Sequence, residues 1–74
     1  MEVIMKEFAV SLDPGSRKPL YEQIYEAVRD AILSGYISCG EKLPSTRFEA
    51  EFLSCSRSTV ELAYEQLLSE GYIE

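Results

Sequence analysis

Arg57, Ser58 and Thr59 follow one another directly after Ser56 and precede the first apolar residue of their segment, Val60. One guanidinium and two hydroxyls in a row are hydrogen-bond donors with no general base beside them. That chemistry suits holding an anion or a base edge, not breaking a bond. Ser56 is of the residue type that caps a helix, accepting from the backbone N–H of Ser58 or Thr59. A helix beginning there adds its own free N–H groups and the positive end of its dipole to the same spot. Such a tip fits the phosphates and base edges of a DNA major groove. An ordinary capped surface helix begins with the same Ser and Thr residues, so the tip alone leaves both readings open.

The element that carries this tip is a helix over residues 56–70, with Gly71 supplying the left-handed stop. Val60, Ala63, Tyr64, Leu67 and Leu68 recur at helical spacing and form its apolar face. A second amphipathic helix spans residues 19–34. Pro19 suits its first position, and Leu20, Ile24, Ala27, Val28, Ala31 and Ile32 make a core-facing stripe bordered by Tyr21 and Tyr25. Glu22, Glu26, Arg29 and Asp30 form its solvated side, and Gly35 ends it. These are the two strongest apolar faces of the chain, and they are expected to pack together. Between them the chain turns through Ser38-Cys39-Gly40, Pro44 holds Leu43 extended, and Ser45 caps a short helix to about Leu53 with Phe48, Ala50, Phe52 and Leu53 as its apolar residues. Ser54-Cys55 is the turn into Ser56. Residues 1–18 read as an arm or short strand, because Phe8, Val10 and Leu12 alternate before the turn signal Asp13-Pro14-Gly15-Ser16. Tyr72 and Ile73 look like the start of another strand. The expected architecture is mainly α: residues 19–74 form a winged helix-turn-helix of three helices with the wing truncated.

Composition narrows the function. At 74 residues the chain is one small domain, for which a dimer mate can complete the core. Its net charge of −6 works against nucleic acid. The acid is unevenly placed, however. Across residues 41–60, Glu41, Glu49 and Glu51 balance Lys42, Arg47 and Arg57. The chain has no histidine and only two cysteines, which argues against a zinc site or any other metal centre. With no glycine-rich phosphate loop and no base-partnered cysteine, no enzyme activity is expected. Cys39 and Cys55 can be bridged only if their Cα atoms lie within about 7 Å. Tyr21, Tyr25 and Tyr64 join or border apolar stripes and read as core and interface residues. No run is long enough to span a membrane and no secretory pattern opens the chain, so no membrane partner and a cytoplasmic location are expected.

Three segments, Pro19-Leu20-Tyr21-Glu22-Gln23-Ile24, Leu43-Pro44-Ser45-Thr46-Arg47 and Ser56-Arg57-Ser58-Thr59-Val60, resemble the winged-helix DNA-binding domain of GntR-family bacterial transcription regulators. The run from Ala63 to Glu74, Ala-Tyr-Glu-Gln-Leu-Leu-Ser-Glu-Gly-Tyr-Ile-Glu, is similar to the MocR subfamily. There this domain precedes a large aminotransferase-like domain that binds pyridoxal phosphate (PLP). The resemblance implies a DNA-binding set of Ser45, Thr46, Arg47, Arg57, Ser58 and Thr59, a double-stranded DNA operator and a homodimer. It implies no cofactor in these 74 residues, because the PLP-binding lysine would belong to the missing C-terminal domain.

The departures from that pattern are as informative. After Arg47 the family usually places an acid and then an apolar residue, whereas this chain has Phe48-Glu49. Phe48 cannot close a capping box with Ser45. Either the short helix rotates so that Phe48 and Phe52 pack, or Glu49 reaches solvent. Ser54 replaces a frequent turn glycine, Cys39 a frequent proline, and Cys55 takes a usually apolar place, which suits a buried inert thiol. Glu61 stands where some relatives carry a further DNA-contacting arginine. Two functions remain: a sequence-specific DNA-binding module, or an acidic helical module for protein interaction or dimerisation that does not bind DNA by itself.

Overall fold

Helix α3, Arg57–Ser69, is the element on which the other two helices, α1 (Leu20–Leu33) and α2 (Thr46–Leu53), both pack. The structure, a computed structural model, describes residues 12–37 and 43–73. The alternation through Phe8 and Val10 and the turn at Ser38-Cys39-Gly40 lie outside the described residues. Val60, Ala63 and Leu67 of α3 are fully buried and meet Ile24, Tyr25 and Val28 of α1 and Ala50 of α2 in one cluster, joined by Ile37. The two strongest apolar stripes thus pack on each other. Burying a large aliphatic side chain contributes about 1.5–3 kcal/mol, which is why α3 takes the central position.

Each helix is bounded by local chemistry. Ser56 caps α3 by accepting from the Thr59 N–H at 3.2 Å, and Ser45 caps α2 by accepting from the Phe48 N–H at 3.1 Å. At the end of α3, Gly71 takes a φ of 84°, and the Gly71 and Tyr72 N–H groups return to the carbonyls of Leu68 and Leu67. This is the Schellman closure. α2 closes the same way with a serine: Ser54 stands at φ 58° while the Ser54 and Cys55 N–H groups reach Glu51 and Ala50. Before α1, the Gln23 side-chain amide holds the Asp13–Lys18 turn through both backbone groups of Asp13 and the Lys18 carbonyl. The Tyr25 hydroxyl donates to Glu70, tying α1 to the far end of α3, and this bond holds the Glu70 carboxyl below its usual range. Replacing Ser56 by alanine removes the α3 cap, and thermal unfolding followed by circular dichroism should show a loss of about 1 kcal/mol.

Several expectations need correction. Pro19 is not the first helical residue but the cap position, with ψ at 152°. Tyr25 does not merely border the stripe; it is buried. Leu68 leaves the apolar face and is 54% exposed, because the two contacting helices use the Val60–Ala63–Leu67 line and Leu68 points about 100° away from Leu67. Tyr72 and Ile73 form no strand; they are half-buried against the core, and no strand occurs among the described residues. The Tyr72 N–H is spent on closing α3 instead of a sheet ladder.

The largest correction is in α2. Neither arrangement expected for Phe48-Glu49 is present. Glu49 is 1% exposed and both its oxygens lack a hydrogen-bond partner, while Phe48 and Phe52 are 38% and 44% exposed and stack on each other at 6.0 Å. Ala50 must face α3, and the capped start of α2 fixes the helix rotation, so Glu49 is carried inward with it. Desolvation pushes the Glu49 carboxyl up to about 7. Burial, and secondarily the proximity of Glu49, also raises Tyr64 and Cys55.

Candidate nucleic-acid interface

The two caps bring the starts of α2 and α3 together. Ser45 and Ser56 have extended backbones that turn into their helices, and the first residues after the two caps, Thr46 and Arg57, touch each other. The contact that joins them is between Arg57 Nε and Thr46 Oγ1, at 3.3 Å. Arg47 and Arg57 are both exposed, and so is Ser58. Each arginine faces a glutamate one turn along its own helix: Arg57 Nε lies 3.2 Å from Glu61 Oε2, and Arg47 Nε lies 3.7 Å from Glu51 Oε2.

The hydroxyls divide into two groups. Ser45 Oγ accepts one hydrogen bond in the α2 cap, which leaves its proton to donate and a second lone pair. Thr59 is half-buried, and its Oγ1 is 2.7 Å from Ser56 Oγ, so it completes the α3 cap. Ser58 Oγ sits 3.3 Å from the same Ser56 oxygen and remains exposed. Of the six residues expected to bind, Thr46 and Arg57 are in contact, Arg47 and Ser58 are displayed at the same helix starts, and Ser45 and Thr59 are engaged chiefly in building the tip. Glu51 joins this surface without having been expected there, although its i,i+4 spacing from Arg47 is visible in the sequence.

Among the described residues no group of three or more His, Cys, Asp or Glu side chains could hold a metal ion, and no helix is long and apolar enough to cross a membrane. Cys55 is a free, half-buried thiol whose burial raises it above the usual range, which is the opposite of an activated nucleophile.

Residues 20–74 match the profile of the family described as bacterial regulatory proteins, gntR family. The chain belongs to that family. Among curated GntR relatives, it is 44% identical over 63 residues to the probable rhizopine catabolism regulatory protein MocR of Rhizobium meliloti, covering 85% of this chain and 13% of that protein. It is 40% identical over 65 residues to the HTH-type transcriptional repressor YtrA of Bacillus subtilis, covering 88% of this chain and 50% of the relative. Among solved structures, YtrA from Sulfolobus acidocaldarius, a GntR-family transcription factor, superposes with a TM-score of 0.80 at 37% identity, over 84% of this chain and 66% of that one. The mainly-α winged helix-turn-helix class is thereby established for the GntR domain described here. The chain spans only 13% of the length of the MocR relative and half that of the Bacillus repressor. The family is one of regulatory proteins, not of enzymes.

Proposed function

We propose that this chain is the sequence-specific DNA-binding module of a bacterial transcription regulator, in which the recognition helix over residues 56–70 enters the major groove. The observation that carries this is the joined start of α2 and α3, where Arg57 contacts Thr46 and Arg47 and Arg57 are both exposed in the first turns of their helices. Arg57 and Ser58 are assigned to base edges or phosphates from the recognition helix, Thr46 and Arg47 to contacts from α2, Ser45 to phosphate through its hydroxyl proton, and Thr59 to the same surface while it holds the tip through Ser56. Residues 19–74 are assigned as the DNA-binding domain and residues 1–18 as an N-terminal arm or short strand. The likeness to MocR supports placing this domain ahead of a PLP-binding domain in a longer, cytoplasmic, homodimeric protein. The operator would then be double-stranded DNA with two half-sites.

Selecting an operator from a random-sequence pool with the intact protein and measuring affinity by fluorescence anisotropy tests this reading. Arg57→Ala should weaken operator binding by about 1–3 kcal/mol if Arg57 reads a base edge. Operator affinity should also fall as salt rises, because phosphate contacts release counterions. Unchanged affinity in the variant removes Arg57 from the interface. Absence of binding at every salt concentration favours the acidic interaction module, the reading that the net charge of −6 supports.

A further inference from the structure

We propose that Glu61 is a specificity-determining residue of this surface: it holds Arg57 by its Nε edge, so that the arginine reads a base in preference to gripping phosphate. The inference rests on the DNA-binding reading above and extends it to an acidic residue on the recognition helix. Glu61 Oε2 lies 3.2 Å from Arg57 Nε, and Thr46 Oγ1 lies 3.3 Å from the same nitrogen on the side of α2. The single Nε–H is donated to Thr46 Oγ1, and the Glu61 carboxylate flanks the same nitrogen as an ion pair, so both helices act on one edge of the guanidinium. Its terminal amines donate no hydrogen bond to any other described residue. A guanidinium presents five N–H groups in a rigid fork, so occupying the Nε edge leaves the Nη1/Nη2 pair for a bidentate contact such as the O6 and N7 edge of guanine.

The energetic consequence is a difference between two kinds of DNA contact. An exposed ion pair one helical turn apart contributes little to stability, so its effect is to be sought in binding. A phosphate anywhere along a duplex competes with the Glu61 carboxylate for the same cation and is repelled by that carboxylate. A base edge met by the Nη pair leaves the Nε–Glu61 pair intact. Arg47 shows the same pairing with Glu51, so the two arginines and two glutamates cancel in charge. Phosphate contacts supply most of the affinity for arbitrary sequence. A surface balanced in this way gains little from them and relies on directed hydrogen bonds.

The test uses the intact protein, an operator selected from a random pool by the unsubstituted protein, and a mixed-sequence duplex of equal length. Glu61→Gln is compared with Glu65→Gln, which removes the same charge from an exposed position of α3 that pairs with no arginine. The expected result for Glu61→Gln is a gain of about 3–10-fold in affinity for mixed-sequence DNA, with its salt slope steeper by about one, as the freed Arg57 takes up a phosphate. Operator affinity should rise by less than about twofold, so the ratio of specific to non-specific binding falls. Glu65→Gln should raise both affinities by one common factor and leave their ratio unchanged. If Glu61→Gln behaves as Glu65→Gln does, or weakens mixed-sequence binding, the positioning role of Glu61 is overturned while DNA recognition stands. If the unsubstituted protein selects no operator and binds neither duplex, DNA recognition falls, and this role with it.

Discussion

Leu67→Ala is expected to leave the domain largely unfolded at ambient temperature, under conditions where Phe48→Ala remains folded. Leu67 has no exposed surface and lies on the one helix that touches both others, within the cluster of Ile24, Val28, Val60 and Ala63. Truncating such a residue costs about 2–5 kcal/mol, the transfer energy of the lost methyl groups plus the cavity they leave. A domain of this size has a total stability of only about 5 kcal/mol, so the loss removes most of it. Phe48 is in a different position. Its ring is more than a third exposed and rests on Phe52 with the planes 10° apart, so truncation gives up a surface stacking contact of about 1 kcal/mol and opens no internal void. Urea unfolding of the two variants side by side, followed by circular dichroism, gives the ranking. A larger loss for Phe48→Ala would show that the stacked pair is buried by something beyond this domain.

Glu49→Leu should stabilise the domain, and the gain should grow with pH. A carboxyl with no exposed surface and no partner for either oxygen loses its hydration when the chain folds and gains nothing in return. Its folded-state value is raised from the ordinary 4.5 to about 7. Because the folded value lies above the unfolded one, the unfolded chain releases this proton first as pH rises. The neutral carboxyl's contribution is fully present below about pH 4.5, declines between 4.5 and 7, and is lost above about 7. The total decline is on the order of 3 kcal/mol. Glu70 acts in a separate window: its carboxyl is held low by the Tyr25 hydroxyl and then by Gln66, so its stabilisation is lost on acidification below the usual carboxylate range. Between about pH 5 and 7.5 the slope therefore reports Glu49. Measured across that interval, the native chain should lose stability while Glu49→Leu holds nearly constant. A native chain whose stability is flat or rises over the same interval would show that Glu49 is hydrated or paired in solution.

Much of this fold was legible in the chain itself, because the signals involved are local. Ser45 and Ser56 cap because a serine hydroxyl reaches a backbone N–H three residues on, whatever the rest of the molecule does. Gly71 stops α3 because it reaches a positive φ without strain. The Ile24–Val28 and Val60–Ala63–Leu67 stripes are spaced for one helix face, and two such faces in a chain this short have each other to cover. The polar start of α3 was legible for the same reason, since Arg57, Ser58 and Thr59 follow a cap and precede a core residue.

The matters that periodicity could not settle are those in which two elements compete for one position. Leu67 and Leu68 are both apolar neighbours on α3, and only the placement of α1 and α2 buries one and exposes the other. The irregular pattern of α2 suggests partial exposure of Phe48 and Phe52, as found, but hydrophobicity alone does not call for a buried Glu49 carboxyl. Tertiary structure buries Glu49, because the Ser45 cap and the packing of Ala50 on α3 fix the rotation of an eight-residue helix, and a rigid helix cannot turn one side chain inward without its neighbours. The same holds at the interface: the sequence supplies Thr46, Arg57 and Glu61, but a guanidinium held between two helices exists only once the starts of α2 and α3 meet.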